Sequence, residues 1–267
     1  MDKRPIGIFD SGVGGLTVVK ELVKELPNED IIYFGDTARV PYGTKSQKTI
    51  KRFSVENAIF LLGKNVKLII VACNSSSAAA LGTLNRNFKV PIIGVIEPGV
   101  KDAILASKNK KIGIIGTSST IRSDAYNKFI RASESSARVF STSCPLFVPL
   151  VEEGWLSGKI TLDVIKHYLL PLKRKGIDTL VLGCTHYPLL ESRIRKVMGP
   201  DVKLVNSALS TARATNKLVR KLSIKADNSS KGKLRFFVSD EPQMFEIIGS
   251  KFLGRRLTSV KKVEYGL

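Results

Sequence analysis

Leu68-Ile-Ile-Val-Ala-Cys73-Asn74 and Thr179-Leu-Val-Leu-Gly-Cys184-Thr185 are two versions of one phrase, one in each half of the chain. Each is a short, apolar, β-branched run that ends in a small residue, a cysteine and a polar residue. Such runs read as strands buried on both faces of a parallel sheet. A second pair sits at a similar offset: Ile6-Gly-Ile-Phe-Asp10-Ser11 and Ile112-Gly-Ile-Ile-Gly-Thr117. Two echoes at nearly equal spacing predict two related halves.

Working outward, strand-like runs fall at 5–9, 30–35, 67–72, 90–95, 111–115, 137–141, 178–183 and 202–206. Helical periodicity fills the gaps at 16–26, 46–63, 76–87, 98–107, 120–132, 160–175, 187–198 and 208–222. In the first, Leu16, Val19, Leu22, Val23 and Leu26 share one face. Strand and helix alternating in this way predict an α/β fold of two parallel-sheet domains with right-handed crossovers. The 267 residues are enough for two small domains. Past the polar stretch 225–233, read as a surface loop, come a strand at 234–238, a helix at 241–253 and a last strand near 259–265. This tail is too short to stand alone and is expected to pack on one of the halves.

Composition narrows the function classes. A hydrophobic fraction of 43% excludes a disordered chain. No apolar run is long enough to span a membrane, and the N-terminus lacks the apolar stretch of a signal peptide. A soluble, cytoplasmic protein is expected. The 43 Lys and Arg against 23 Asp and Glu give a net charge of +20. The bases are spread along the chain, without a binding tract, and aromatics are only 7%. A basic solvated surface is therefore the preferred reading over a nucleic-acid partner. The three cysteines and two histidines lack the spacing of a metal site, so no metal is expected.

Ligands of open α/β sheets bind beyond the carboxyl ends of the strands. The residues there are Asp10-Ser11, Asp36, Cys73-Asn74-Ser75, Thr117 and Cys184-Thr185-His186. Two halves facing each other would set Cys73 and Cys184 on opposite walls of one cleft. Inverting a carbon centre without redox chemistry needs a base on one face and an acid on the other, and thiols titrate near enough to neutrality for both tasks. His186 is placed to exchange a proton with Cys184, and Asp10 to do so beside Cys73. A single such cysteine would read as a small buried hydrophobe. Cys144, before Pro145, keeps that reading. Asp10-Ser-Gly-Val-Gly-Gly-Leu16 meets neither the Walker A nor the dinucleotide pattern, but its glycines turn a strand into a helix whose free N–H groups suit a carboxylate. Tyr42 and Gly43 offer a hydroxyl and a backbone amide. In Val148-Pro-Leu-Val-Glu-Glu-Gly154, one glutamate could orient His186.

Taken together, Phe9–Leu16, Tyr33–Gly43, Val71–Ser75, Phe147–Glu152 and Leu182–Pro188 resemble, in order, the motifs of the glutamate racemase family, within the cofactor-independent aspartate/glutamate racemase superfamily. The resemblance implies two α/β domains with the active site between them. The first would comprise 1–97 completed by 208–267, and the second 98–207. It implies catalytic thiols at Cys73 and Cys184, assisted by Asp10 and His186, with Asp36 and Glu152 nearby. Substrate contacts map onto Asp10, Ser11, Tyr42, Gly43, Asn74, Ser75, Thr185 and His186. It also implies glutamate as the partner, no cofactor, D-glutamate for peptidoglycan as the product, and a possible homodimer. Two positions depart from the family pattern: Ser75 stands where Thr is usual, and Asn206 where Asp is frequent.

Overall fold

Complete burial of the strands follows from the way their side chains alternate between two cores. In β1 (Ile6–Asp10), Ile6 and Ile8 join one apolar cluster, whereas Phe9 joins the other. Period-two alternation across a sheet covered on both faces requires apolar residues at every position, and that is why these strands read as continuous apolar runs. The computed structural model describes residues 2–226 and 230–264. In it β1, β2 (Ile31–Gly35), β3 (Leu68–Val71), β4 (Ile92–Gly94), β9 (Leu234–Val238) and β10 (Val260–Lys262) form a parallel sheet in the order β10-β9-β2-β1-β3-β4. A second parallel sheet has the order β6-β5-β7-β8, from β5 (Lys111–Gly116), β6 (Arg138–Ser143), β7 (Thr179–Gly183) and β8 (Lys203–Asn206). Its order repeats the β2-β1-β3-β4 core of the first sheet. The echoing phrases are thus the central pair of this four-strand order in each sheet.

Helices cover both sheets. On the first, α2 (Gln47–Leu62) and α3 (Asn74–Asn87) lie on the Phe9 side, and α1 (Leu16–Glu25) and α11 (Pro242–Leu253) on the other. On the second, α4 (Ile96–Ala106) and α6 (Ala125–Ser133) share a core with Ile112, Ile114 and Val181. There α8 (Lys159–Lys173) and α9 (Glu191–Met198) pack with Ile115, Leu180 and Leu182. The return helix α10 (Ser207–Lys221) packs on α1, so one apolar cluster runs through both lobes. Asn206 caps it, its Oδ1 accepting the Ala208 N–H at 3.0 Å. The amide keeps the capping function that an aspartate would serve.

Three expected helices differ. The stretch 120–132 is two helices, α5 (Ser118–Arg122) and α6, broken where Asp124 adopts a left-handed conformation at φ 59°. The Ser123 hydroxyl bonds back to the Thr120 carbonyl and accepts the Ala125 N–H, and such local bonding competes with a continuous helix. The stretch 187–198 begins as a 3-10 turn, Tyr187–Leu190, around Pro188 before α9. α3 starts at Asn74, so Cys73 is its N-cap. A short helix, α7 (Phe147–Glu152), lies in a segment for which no helix was expected.

The tail returns to the first sheet, with β9 in register beside β2 from Ile31↔Leu234 to Gly35↔Val238. Residues 227–229 of the expected loop, and residue 265 of the expected last strand, lie outside the described residues. The loop's start is not a surface feature, because Ala226 is buried. It is held by a buried ion pair, Lys67 Nζ to Glu29 Oε2 at 2.6 Å. Lys67 also donates to the Asp2 and Ile224 carbonyls at 2.7 and 2.8 Å, and Glu29 accepts the Ala226 N–H at 2.8 Å. Removing one partner of such a pair strands a charge. Lys67→Met should therefore lower unfolding free energy by about 3–5 kcal/mol. Urea denaturation measures this, and a loss within experimental error would contradict the clamp.

Candidate active site

Both cysteines of the repeated phrase lie just past strand ends, where the chain leaves the sheet to start a helix or turn. Cys73 follows β3 and caps α3, and Cys184 follows β7. They line one cleft of about 210 Å³ between the lobes. Ser11, Tyr42, Gly43, Asn74, Ser75, Glu152, Thr185 and His186 line it too, with Thr117 and apolar walls from Val40, Pro41, Pro145, Val148 and Pro149. Of the residues expected at the site, Asp10 and Asp36 do not line the cleft.

The two walls differ in the ionisable group beside each thiol. On the Cys184 wall, His186 Nδ1 lies 3.8 Å from the Cys184 sulfur, and its Nε2 lies 2.9 Å from Glu152 Oε1. Burial alone would push the ring's pKa down, but bonding to Cys184 and Glu152 outweighs that and holds it up to about 10. The imidazole is then a cation at neutral pH. Glu152 is the oriented member of its pair, whereas Glu153 is exposed. On the Cys73 wall, the thiol faces Ser11 Oγ at 3.8 Å. Burial and the negative charge of Asp10 push this thiol up to about 12. Asp10 lies behind it, fully buried, its Oδ2 accepting the Gly12 N–H at 3.0 Å. Burial raises its carboxyl too, opposed by the His186 charge and the Gly12, Gly15 and Ser11 amides.

Asp36 serves a neighbouring residue rather than the cleft. It accepts the Tyr42 hydroxyl, both its oxygens take Arg39 Nε at 3.0 and 2.8 Å, and Ser239 Oγ adds a bond at 3.2 Å. The expected Tyr42 hydroxyl is therefore committed, with Asn57 Nδ2 donating to it at 3.2 Å. Tyr42 and Gly43 meet the cleft as a backbone turn and ring. The glycine turn 12–15 also departs from its expected use. Of that motif only Ser11 reaches the cleft, and the glycines are buried. A Cβ on Gly14 would sit 2.2 Å from Thr185 Oγ1 and 2.6 Å from His186 Nδ1. The turn's role is close approach of the lobes, reinforced by Thr17 Oγ1 bonding to the Thr185 carbonyl at 3.0 Å. The N-terminus of α3 opens on the cleft through Asn74 and Ser75, and that of α5 through Thr117 and Ser118.

Ser75 supplies the hydroxyl expected of the usual threonine, within 3.0 Å of Thr117 Oγ1 and 3.3 Å of Thr120 Oγ1 across the lobes. Sequence reasoning missed the supporting residues. Phe252 of α11 meets the His186 ring edge-on at 5.2 Å, and Tyr126 of α6 donates to Asn74 Oδ1 at 2.7 Å. Neither carries a signal in sequence, since each is one apolar position on an amphipathic helix. Cys144 stays out of the cleft, buried behind Tyr187, whose hydroxyl donates to its carbonyl. Among the described residues no three metal-binding side chains gather, and no helix is long and apolar enough to cross a membrane.

Comparison with known proteins places this geometry. The profile of the Asp/Glu/hydantoin racemase family matches residues 6–224. The chain belongs to that family. This racemase, an isomerase acting on amino acids, is 49% identical to the glutamate racemase of Geobacter metallireducens over 98% of this chain and 97% of the relative. Its fold superposes on glutamate racemase isoform RacE1 from Bacillus anthracis with a TM-score of 0.96, at 41% identity and covering 99% and 98% of the two chains. It matches the Francisella tularensis glutamate racemase, solved with D-glutamate, with a TM-score of 0.92, at 42% identity and with the same coverage.

Two outcomes are expected from the racemase site. Gly14→Ala forces Thr185 and His186 out of place and should lower kcat/KM by about 10²-fold with the circular dichroism of the fold unchanged. Wild-type kinetics in that variant would mean the lobes yield there at no cost. A raised His186 value stabilises the fold fully below its ordinary 6.5, and that contribution fades as pH climbs towards about 10. The gap in Tm between wild type and His186→Gln should therefore narrow from pH 6.5 to pH 10. A gap that widens with pH would mean the ring is neutral.

Proposed function

We propose that this racemase interconverts L- and D-glutamate by a two-base mechanism in which Cys73 and Cys184 act on opposite faces of the α-carbon. The observation that carries this reading is the pairing of the two thiols on opposed walls of one cleft, each with its own charged companion. One thiolate takes the α-proton, leaving a planar carbanion. The other thiol gives its proton to the opposite face, and product leaves with the inverted configuration. The two sulfurs have then exchanged protonation states, and the reverse reaction begins from that state. Because both proton transfers fall to side chains already present, the scheme needs no cofactor. A sulfur losing its proton beside His186 faces a cation, and His186 can relay protons between Cys184 and Glu152.

The α-proton is a weak acid, so the site must stabilise the carbanion. The first-turn N–H groups of α3 and the side chains of Asn74, Ser75 and Thr185 are the groups we assign to the α-carboxylate. Glutamate as substrate is supported by the relatives, which are named glutamate racemases over essentially the whole length of the chain. We further propose that the D-glutamate supplies peptidoglycan synthesis in the cytoplasm.

The test is proton NMR of the purified protein with L-glutamate in D₂O, with no cofactor added and the optical activity followed in parallel. Loss of the α-proton signal together with decay of optical activity is the expected result. Cys73→Ser and Cys184→Ser should each lower racemisation by about 10²–10⁴-fold. No exchange with either enantiomer in folded, reduced protein would reject glutamate, and a single variant that keeps full turnover would reject the two-thiol scheme. Running aspartate alongside separates a wrong substrate from a wrong mechanism.

A further inference from the structure

We infer that Tyr126 is a positioning residue that fixes the amide of Asn74 with its NH₂ left unpaired for a ligand, and that it does so only while the two lobes are together. This rests on the reading of Asn74 as a carboxylate anchor. Asn74 opens α3 in the first lobe, is 3% exposed and lines the cleft. Its Oδ1 accepts the Tyr126 hydroxyl at 2.7 Å, and its Nδ2 has no partner among the described residues. Tyr126 belongs to α6 in the second lobe and is itself buried. The bond therefore crosses from lobe to lobe.

The chemistry of an amide makes this more than a packing contact. A carboxamide has an acceptor end and a donor end, and a half-turn about its last bond exchanges them. A carboxylate accepts hydrogen bonds and donates none, so only the NH₂ end can hold it. The tyrosine hydroxyl donates to Asn74 Oδ1 at 2.7 Å, which assigns the acceptor end of the amide to the phenol. Engaging Oδ1 leaves the NH₂ as the unpaired end of an amide whose residue lines the cleft. Separating the lobes withdraws the phenol and frees the amide to turn.

The test is a double-mutant cycle of Tyr126→Phe and Asn74→Ala, read both kinetically and by ¹⁵N NMR. Tyr126→Phe keeps the ring and its packing. It should raise KM for glutamate about tenfold while kcat changes less than about threefold, because an anchoring bond is weakened and the thiols are untouched. In the Asn74→Ala background the same change should have no further effect on KM, because the tyrosine acts through the amide. Effects that multiply across the two backgrounds would overturn the inference, as would a fall in kcat with KM unchanged. The Asn74 side-chain amide signal, assigned by its loss in Asn74→Ala, should shift or broaden in Tyr126→Phe without any ligand present. An unchanged signal would overturn the inference whether or not the wild type turns over glutamate. A wild type inactive on glutamate but with the expected amide change would instead reject the substrate and keep the positioning.

Discussion

The site depends on how closely the two lobes approach at Gly14. There the first lobe presents bare backbone to Thr185 and His186 of the second, at distances that leave no room for a side chain. Thr17 ties the same contact to the Thr185 carbonyl. Together with the Ser75–Thr117 and Tyr126–Asn74 contacts, this approach holds the lobes together at the cleft. It also holds the His186 ring against Cys184 and Glu152, and brings its charge within influence of Asp10 across the lobes. Close packing of this kind has few alternative arrangements, so residues far apart in sequence become rigidly related.

The lobes are alike in strand order and unlike in charge. Each thiol stands at the same point of its sheet, past the third strand of its lobe, which pairs with the first. Behind Cys73 lies a buried carboxylate and beside Cys184 an imidazolium, so the thiol next to the carboxylate is held protonated while the sulfur next to the ring meets positive charge. Racemisation asks for one acid and one base at any moment. Under the proposed two-thiol scheme, unlike charged companions on the two walls would meet that demand before substrate arrives.

Sequence reading reached the strands, their parallel pairing and the cysteines, because a strand buried on both faces writes an unbroken apolar run and its end is marked by a change to polar residues. It could not reach contacts made across the fold. The role of Asp36 depends on Tyr42, Arg39 and Ser239, and Ser239 belongs to the tail. The close approach of Gly14 depends on residues of the other lobe, so its motif alone read as an anion-binding turn. The break at Asp124 followed from local side-chain bonding that periodicity does not register. Phe252 touches His186 from a segment whose motifs carried no family signature.

Two buried polar atoms beside the cleft, Asp10 Oδ1 and Asn74 Nδ2, have no partner among the described residues. An unpaired buried group costs free energy that the rest of the fold must outweigh. The two differ in what that cost accomplishes. The Asp10 oxygen keeps a negative potential behind the Cys73 thiol and never meets the cleft. Asn74 does line it, at the N-terminus of a helix whose dipole favours an anion in the same place. An anionic ligand would satisfy the second atom and leave the first as it is. On the proposed scheme, the first lobe would combine a field acting on proton transfer with an unpaired donor for the anion. Both are built from residues within one turn of the ends of β1 and β3.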